Sequence, residues 1–190
     1  MKVISHTNLN IMMNIVDKII FNFSNNKTLY IGEELTMSEH MIQTAMLAEK
    51  NKCTNDLICS SLLHDYGHFV LEDPNQLVSN HIDGNHETIG ANYLKEYFSN
   101  EIIEPILLHV DAKKYLARNK KYFDDLSEAS KTSLKLQGGI MSDNEAKQFE
   151  KNKNYKNAIK LRRFDESAKK QNIKIKDIKD YKELLISKII

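Results

Sequence analysis

The chain has 190 residues, 41% apolar and 28% charged, and its 27 Lys plus Arg nearly cancel its 26 Asp plus Glu. That length suffices for one domain with a real hydrophobic core. A net charge of +1 leaves no electrostatic footprint for a nucleic-acid backbone, and no apolar run approaches the ~18 residues that span a bilayer.

Gly (6) and Pro (2) are scarce; strands and tight hairpins need that punctuation, so helices are favoured. The opening residues, Met1 to His6, lack the apolar core of a secretory signal, so a cytoplasmic location is expected. Ile11, Ile15, Ile19 and Ile20 recur at helical spacing and predict a helix over residues 9–23. A polar loop follows to about Met37 and contains Tyr30-Ile31-Gly32-Glu33. Ser38 fits the N-cap of a helix running to Lys50, and another helix is expected from Asn55 to His64. Residues 71–83 contain Pro74 and precede Gly84, which reads as a surface loop. Helices resume over residues 86–98, 101–116 and 127–137, the last stopped by Gly138-Gly139. Ser142-x-x-Glu145 matches a capping box for a short helix to Glu150. Residues 155–170 and 177–188 predict two more helices. No repeat or compositional shift divides the chain, so residues 1–190 are expected to form a single all-α domain. Cys53 and Cys59 are spaced unlike a zinc or redox motif and are expected to be reduced and packed.

The histidines carry the chemistry. Seven occur, and four combine with two aspartates in the order His40, His64-Asp65, His86, His109, Asp165. Each of the six falls on a predicted helix or at its end. An imidazole and a carboxylate adjacent at a helix end can converge on one ion, and the two oxygens of Asp65 can bridge two ions. Other helices must then bring the remaining ligands, which is how helical bundles build dinuclear sites. His6, near the terminus, and His81, in the polar loop beside Asp83, read as bystanders.

The order H…HD…H…H…D resembles the HD-domain superfamily of helical, metal-dependent phosphohydrolases and their oxygenase relatives. Narrower likeness comes from Met37-Ser38-Glu39-His40, from Ser61 through His68 (SLLHDYGH), from Glu104 through Leu116 (EPILLHVDAKKYL), from Leu136-Gln137-Gly138-Gly139 and from Leu161 through Glu166 (LRRFDE). These segments are similar to the PhnZ-type organophosphonate oxygenases, distant relatives of myo-inositol oxygenase. The resemblance covers roughly residues 28–170. It implies an HD-domain helical bundle with a dinuclear site between its helices, holding a mixed-valent Fe(II)/Fe(III) pair with O2 as co-substrate. His40, His64, Asp65 and Asp165 would hold one iron. Asp65 would bridge, and His86 and His109 would complete the other, which keeps open positions for a chelating hydroxyphosphonate. The donor set by itself also suits manganese, zinc or nickel.

Residue spacing adds a separate argument for an anionic substrate. Lys113 follows His109 by four residues, Arg162 precedes Asp165 by three, and His68 follows His64 by four. Each pair shares a helix face. Three potential cations thus stand one turn from three ligands, as a phosphonate requires. In the family a serine near Ser127 or Ser130 contacts the phosphonate, with Gln137 nearby; Ser127 also reads as an N-cap and Gln137 as a helix-end residue. Tyr30 and Glu33 match a family loop over the site. Tyr30 would fill the open metal position at rest, and Glu33 would meet the cationic end of an amino-substituted substrate.

The expected reaction is O2-dependent cleavage of the C–P bond of a 1-hydroxyalkylphosphonate, giving phosphate and a carboxylic acid. With 2-amino-1-hydroxyethylphosphonate the acid is glycine. The rival reading is an HD-type phosphohydrolase acting on a phosphoester or nucleotide, for which a two-metal site is equally suited. The only partner expected is a small organophosphonate, with no nucleic acid and no membrane.

Overall fold

The computed structural model describes residues 14–30, 34–70 and 85–190, and among them the chain is helical with only two isolated β-bridges. The helices are α1 (Ile15–Asn25), α2 (Met37–Lys50), α3 (Asn55–Leu63), α4 (Gly67–Val70), α5 (His86–Leu94), α6 (Asn100–Leu116), α7 (Lys120–Asp125), α8 (Glu128–Leu136), α9 (Asp143–Phe149) and α10 (Tyr155–Ser167). A 3-10 turn, Ile178–Tyr181, leads into α11 (Lys182–Ile186). None of these helices is long and apolar enough to cross a membrane. The start of the helix expected over residues 9–23, the Ile31–Glu33 part of the polar loop and the loop expected over residues 71–83 lie outside the described residues.

Local chemistry sets most boundaries. The cap of α2 is Thr36 rather than Ser38: its hydroxyl accepts from the Glu39 N–H while the Glu39 carboxylate receives the Thr36 N–H. Ser38 already lies inside the helix and donates to the Phe23 carbonyl at 2.8 Å, tying α2 to α1. Thr54 caps α3, Ser127 caps α8, and Ser142 with Glu145 forms the expected capping box of α9. Helix α5 ends at Leu94, short of the expected Phe98, because Phe98 leaves the helix to bridge Ile189. Helix α7 was not expected; its run of Lys, Tyr, Phe and Asp has no apolar period, and it starts because Asn119 caps it.

The framework is formed by α2, α3, α6 and α10, with α5 laid against α6. Its core includes Met41, Leu62, Leu63, Tyr66, Leu94, Ile102 and Ile106, all essentially inaccessible to water. The C-terminal segment adds Ile178, Tyr181 and Leu185 to this core. Burying a Leu or Ile side chain contributes about 1.5–3 kcal/mol, so these helices are held firmly and can carry groups that are costly to bury. Ser60 adds a polar tie, donating to the Ile102 carbonyl of α6 at 2.8 Å.

Two short elements are locked by a backbone contact. A Cβ on Gly67 would stand 1.9 Å from the His86 carbonyl oxygen, and one on Gly90 would stand 2.8 Å from the Gly67 nitrogen. Only glycine at these positions lets α4 and α5 approach so closely, and the approach brings His86 to the residues that follow α3.

Candidate metal centre

The described chain runs on from α3 through a turn at residues 64–66 into α4. His64 and Asp65 therefore sit at a helix end, both buried. Four imidazoles from four elements meet the Asp65 carboxylate, and they divide between its two oxygens. On Oδ2 converge His64 Nε2 at 3.3 Å and His40 Nε2 at 3.7 Å. On Oδ1 converge His86 Nε2 at 3.2 Å and His109 Nε2 at 3.5 Å. Asp165, from α10, joins the first group with Oδ1 3.3 Å from His40 Nε2. The structure thus gathers all six residues expected as ligands, in the expected two sets.

The rings are oriented by what holds their other nitrogen. His40 Nδ1 is 2.9 Å from the Ala168 carbonyl, His64 Nδ1 is 3.0 Å from that of Ser61, and His109 Nδ1 is 2.7 Å from that of Ile106. A ring donating from Nδ1 keeps its lone pair on Nε2, the form a metal needs. His86 differs, since its Nδ1 faces the Glu87 carboxylate at 3.6 Å. The Ala168 carbonyl is fixed in turn by Gln43, whose side-chain amide donates to the Lys170 carbonyl at 2.8 Å and accepts from its N–H at 3.1 Å.

This geometry fits metal ions. His40 Nε2 and His64 Nε2 are 3.3 Å apart, and His86 Nε2 and His109 Nε2 are 3.2 Å apart. Lone pairs facing at that separation repel unless a cation lies between them, and bonds of about 2.0–2.2 Å span such gaps. Asp165 Oδ1 is buried and takes part in no hydrogen bond among the described residues, which an ion would remedy. Burial works against charge on both carboxylates. Even so, the charge of His64 beside it holds Asp65 well below the usual carboxylate range. Arg162 does the same for Asp165. Both aspartates are therefore ready as anionic ligands.

His68 was expected as a potential cation, and here the structure corrects the sequence. Its ring stacks on that of His86, with centroids 4.5 Å apart. Desolvation, with His86 alongside, pushes its pKa down to about 3, so it is neutral. It lies close enough to Asp65 and His86 to join a ligand group. Tyr30 stacks on His40, centroids 3.9 Å apart. Burial and the Asp165 and Asp65 carboxylates raise its phenol well above the usual value. Glu33 lies outside the described residues.

The cations beside the cluster are buried, Lys113 to 3% exposure and Arg162 to 4%. Solvated surface charges would not be. Lys113 donates to Ser133 at 2.9 Å. Arg162 forks between Asp165 and Glu166 and donates from Nε to Tyr122 at 3.2 Å. Ser127 is the N-cap of α8, accepting from the Ser130 N–H, and Ser130 donates to Glu166. Lys169 reaches Ser127, Ser130 and Glu166, each at 3.2 Å, with its ammonium 5.7 Å from the Tyr30 ring centre. Gln137 caps the other end of α8, with Oε1 buried and in no hydrogen bond among the described residues. Sequence reasoning missed Ser133, Tyr122, Glu166, Lys169, Gln43 and Glu87. Only Glu166 and Lys169 carried a signal: Glu166 follows Arg162 by four residues on α10, and Lys169 follows Asp165 by four, just past the end of that helix.

The HD domain family matches residues 37–185. The hydroxymethylphosphonate dioxygenase of Gimesia maris is 42% identical over 156 residues, covering 80% of this chain and 77% of that protein. The [1-hydroxy-2-(trimethylamino)ethyl]phosphonate dioxygenase (glycine-betaine-forming) of Leisingera caerulea is 44% identical over 149 residues, covering 78% and 76%. An uncharacterized protein of Acanthamoeba polyphaga mimivirus is 39% identical over 161 residues, covering 83% and 73%.

Proposed function

The chain belongs to the HD-domain family, in its organophosphonate dioxygenase branch, and we propose that it is an O2-dependent dioxygenase cleaving the C–P bond of a 1-hydroxyalkylphosphonate. The observation that carries this reading is the division of Asp65 between two histidine pairs, in a chain 42% and 44% identical to two phosphonate dioxygenases. The overall change balances as substrate plus O2 giving a carboxylate, phosphate and a proton.

His40, His64, Asp65 and Asp165 would hold one iron, and Asp65, His86 and His109 the other, as a mixed-valent pair. When bound, such a pair supplies the one-electron chemistry with O2 and acidifies a chelated hydroxyl. The chain's own residues do the rest. Lys113, Arg162 and Ser130 receive the phosphonate oxygens, the Arg through paired N–H groups and the Lys as a compact charge. Ser127 holds the start of α8, and so Ser130, in place. His68, neutral and stacked on His86, orients the hydroxyl by a hydrogen bond; a ring with a pKa near 3 is too weak a base to hold its proton. The ring of Tyr30 covers His40 and keeps water from the first pocket.

The two relatives are named for substrates that differ in the group on the hydroxyl-bearing carbon. For this chain we take 2-amino-1-hydroxyethylphosphonate, giving glycine. The test uses iron-loaded protein offered that compound, hydroxymethylphosphonate and the trimethylammonium analogue. Oxygen uptake matched one-to-one by phosphate release, with a mixed-valent EPR signal that substrate perturbs, supports the reading. Phosphate release from a phosphoester without O2 would return the protein to the hydrolases. Turnover of only one of the other two phosphonates would overturn the substrate assignment alone.

A further inference from the structure

Three donors expected to receive phosphonate, or adjoining those that do, already hold an anion supplied by the chain. The Glu166 carboxylate takes a guanidinium N–H of Arg162, the ammonium of Lys169 at 3.2 Å and the Ser130 hydroxyl at 3.3 Å. Lys169 is shared with Ser127 and Ser130. The side chain of Glu166 is only 19% exposed and that of Lys169 13%, so the group is sheltered rather than solvated. Charge-assisted hydrogen bonds of this kind are about twice as strong as neutral ones, and a cradle so filled is not open to any passing anion.

We propose that Glu166 is a specificity-determining residue: an internal anion that occupies the Arg162–Lys169–Ser130 cradle and yields it only to a doubly charged tetrahedral ligand. Resting on the phosphonate reading above, the argument is one of competition. An incoming ligand must replace the bonds Glu166 gives up and tolerate its charge nearby. A carboxylate or a phosphonate monoester offers one charge and gains nothing over the resident group. A phosphonate or phosphate dianion offers two charges and three oxygens, enough for Arg162, Lys169 and Ser130 together. Glu166 thus makes binding to the cradle weaker but more selective, a form of discrimination by a competing contact. It touches no reacting atom in this account and acts only on which anion enters.

The test is calorimetric binding of inorganic phosphate, and of methyl methylphosphonate as a monoanion, to metal-loaded protein. Proteins compared are wild type, Glu166→Gln, Glu166→Ala, Glu166→Asp and Lys113→Met, each with its Tm recorded. Expected are phosphate binding about tenfold tighter in Glu166→Gln, equivalent to about 1.4 kcal/mol, measurable monoanion binding in that variant, and wild-type behaviour restored by Glu166→Asp. Glu166→Ala gives the same direction and decides the matter if the Gln variant does not fold. Unchanged or weaker phosphate binding in a folded Glu166 variant overturns the proposal, since a carboxylate that merely buttressed Arg162 would behave that way. Phosphate binding that Lys113→Met leaves untouched would instead overturn the underlying phosphonate reading.

Discussion

Gly67→Ala places a methyl group where the His86 carbonyl stands. The added carbon would lie 1.9 Å from that oxygen, 2.7 Å from its carbon and 2.9 Å from the Gly90 nitrogen. All three are backbone atoms, so no rotamer relieves the clash. Ordinary contact needs a retreat of roughly 1.5 Å, whereas a metal ligand tolerates only about ±0.2 Å. The perturbation thus falls on the His86–His109 pocket and spares His40, His64 and Asp165. Overpacking of this kind costs about 1–3 kcal/mol, which for a chain of this length lowers Tm by about 2–12 °C. Metal analysis with a colorimetric chelator should find about one ion per chain instead of two, with phosphonate turnover lost. Gly90→Ala, whose nearest contact is 2.8 Å, should show a smaller loss in the same direction. Two ions bound to Gly67→Ala with wild-type affinity would refute the view that this glycine contact positions His86.

Asp65→Ala should empty both pockets, because it serves both histidine pairs, while His86→Ala should leave one ion; equal stoichiometry in the two variants would remove the bridging assignment. Lys113→Met should raise KM for the phosphonate about tenfold or more with metal content intact. It should leave Tm equal or higher, since an apolar side chain of similar length relieves the desolvation of a buried ammonium. Cys59 is fully buried and its thiol is pushed up to about 12. At pH 8 a disulfide reagent should therefore modify the half-buried Cys53 first, and Cys59 only on unfolding.

The six residues that converge around Asp65 were legible in the sequence because buried His and Asp are chemically unusual on a helix and their order is that of the HD pattern. Their division between the Asp65 oxygens came only from the family resemblance, since nothing in the spacing says where the helices cross. The cap of α2 could have been read better: Thr36 precedes Glu39 by three residues, the capping-box spacing, and that favours it over Ser38. Other features had no local signal. Gln43 clasps Lys170 from 127 residues away, and the Gly67–Gly90 contact is a close approach of two backbones with no side-chain pattern to announce it. Helix α7 is six residues long with no fully buried member; it packs Tyr122 and Phe123 against the cluster of Ala117, Leu126 and Leu134 and delivers Tyr122 to Arg162. His68 looked cationic because its spacing from His64 placed it at the site. Its charge was decided instead by burial and by a ring partner from α5.

Arg162 joins the two halves of the site, and a last prediction follows from that. One guanidinium N–H holds Asp165 Oδ2 and another holds Glu166. Asp165 Oδ1 faces His40 in the first metal pocket. A cation bound there draws on the Asp165 charge and loosens its grip on Arg162, leaving more of the guanidinium for an arriving anion. The cation's own field acts in the same direction. Phosphate should therefore bind more tightly to zinc-loaded protein than to metal-free protein, zinc serving as a redox-inert probe. By linkage, phosphate must tighten zinc by the same factor, about 5–150-fold for couplings of ordinary size. The two titrations are independent measurements of one number. Should phosphate affinity prove indifferent to zinc, Arg162 would be a fixed strut of Asp165 and not a shared resource. Coupling that vanishes in Arg162→Met while both ligands still bind would assign it to the guanidinium; coupling that persists there would leave the metal's field as its source.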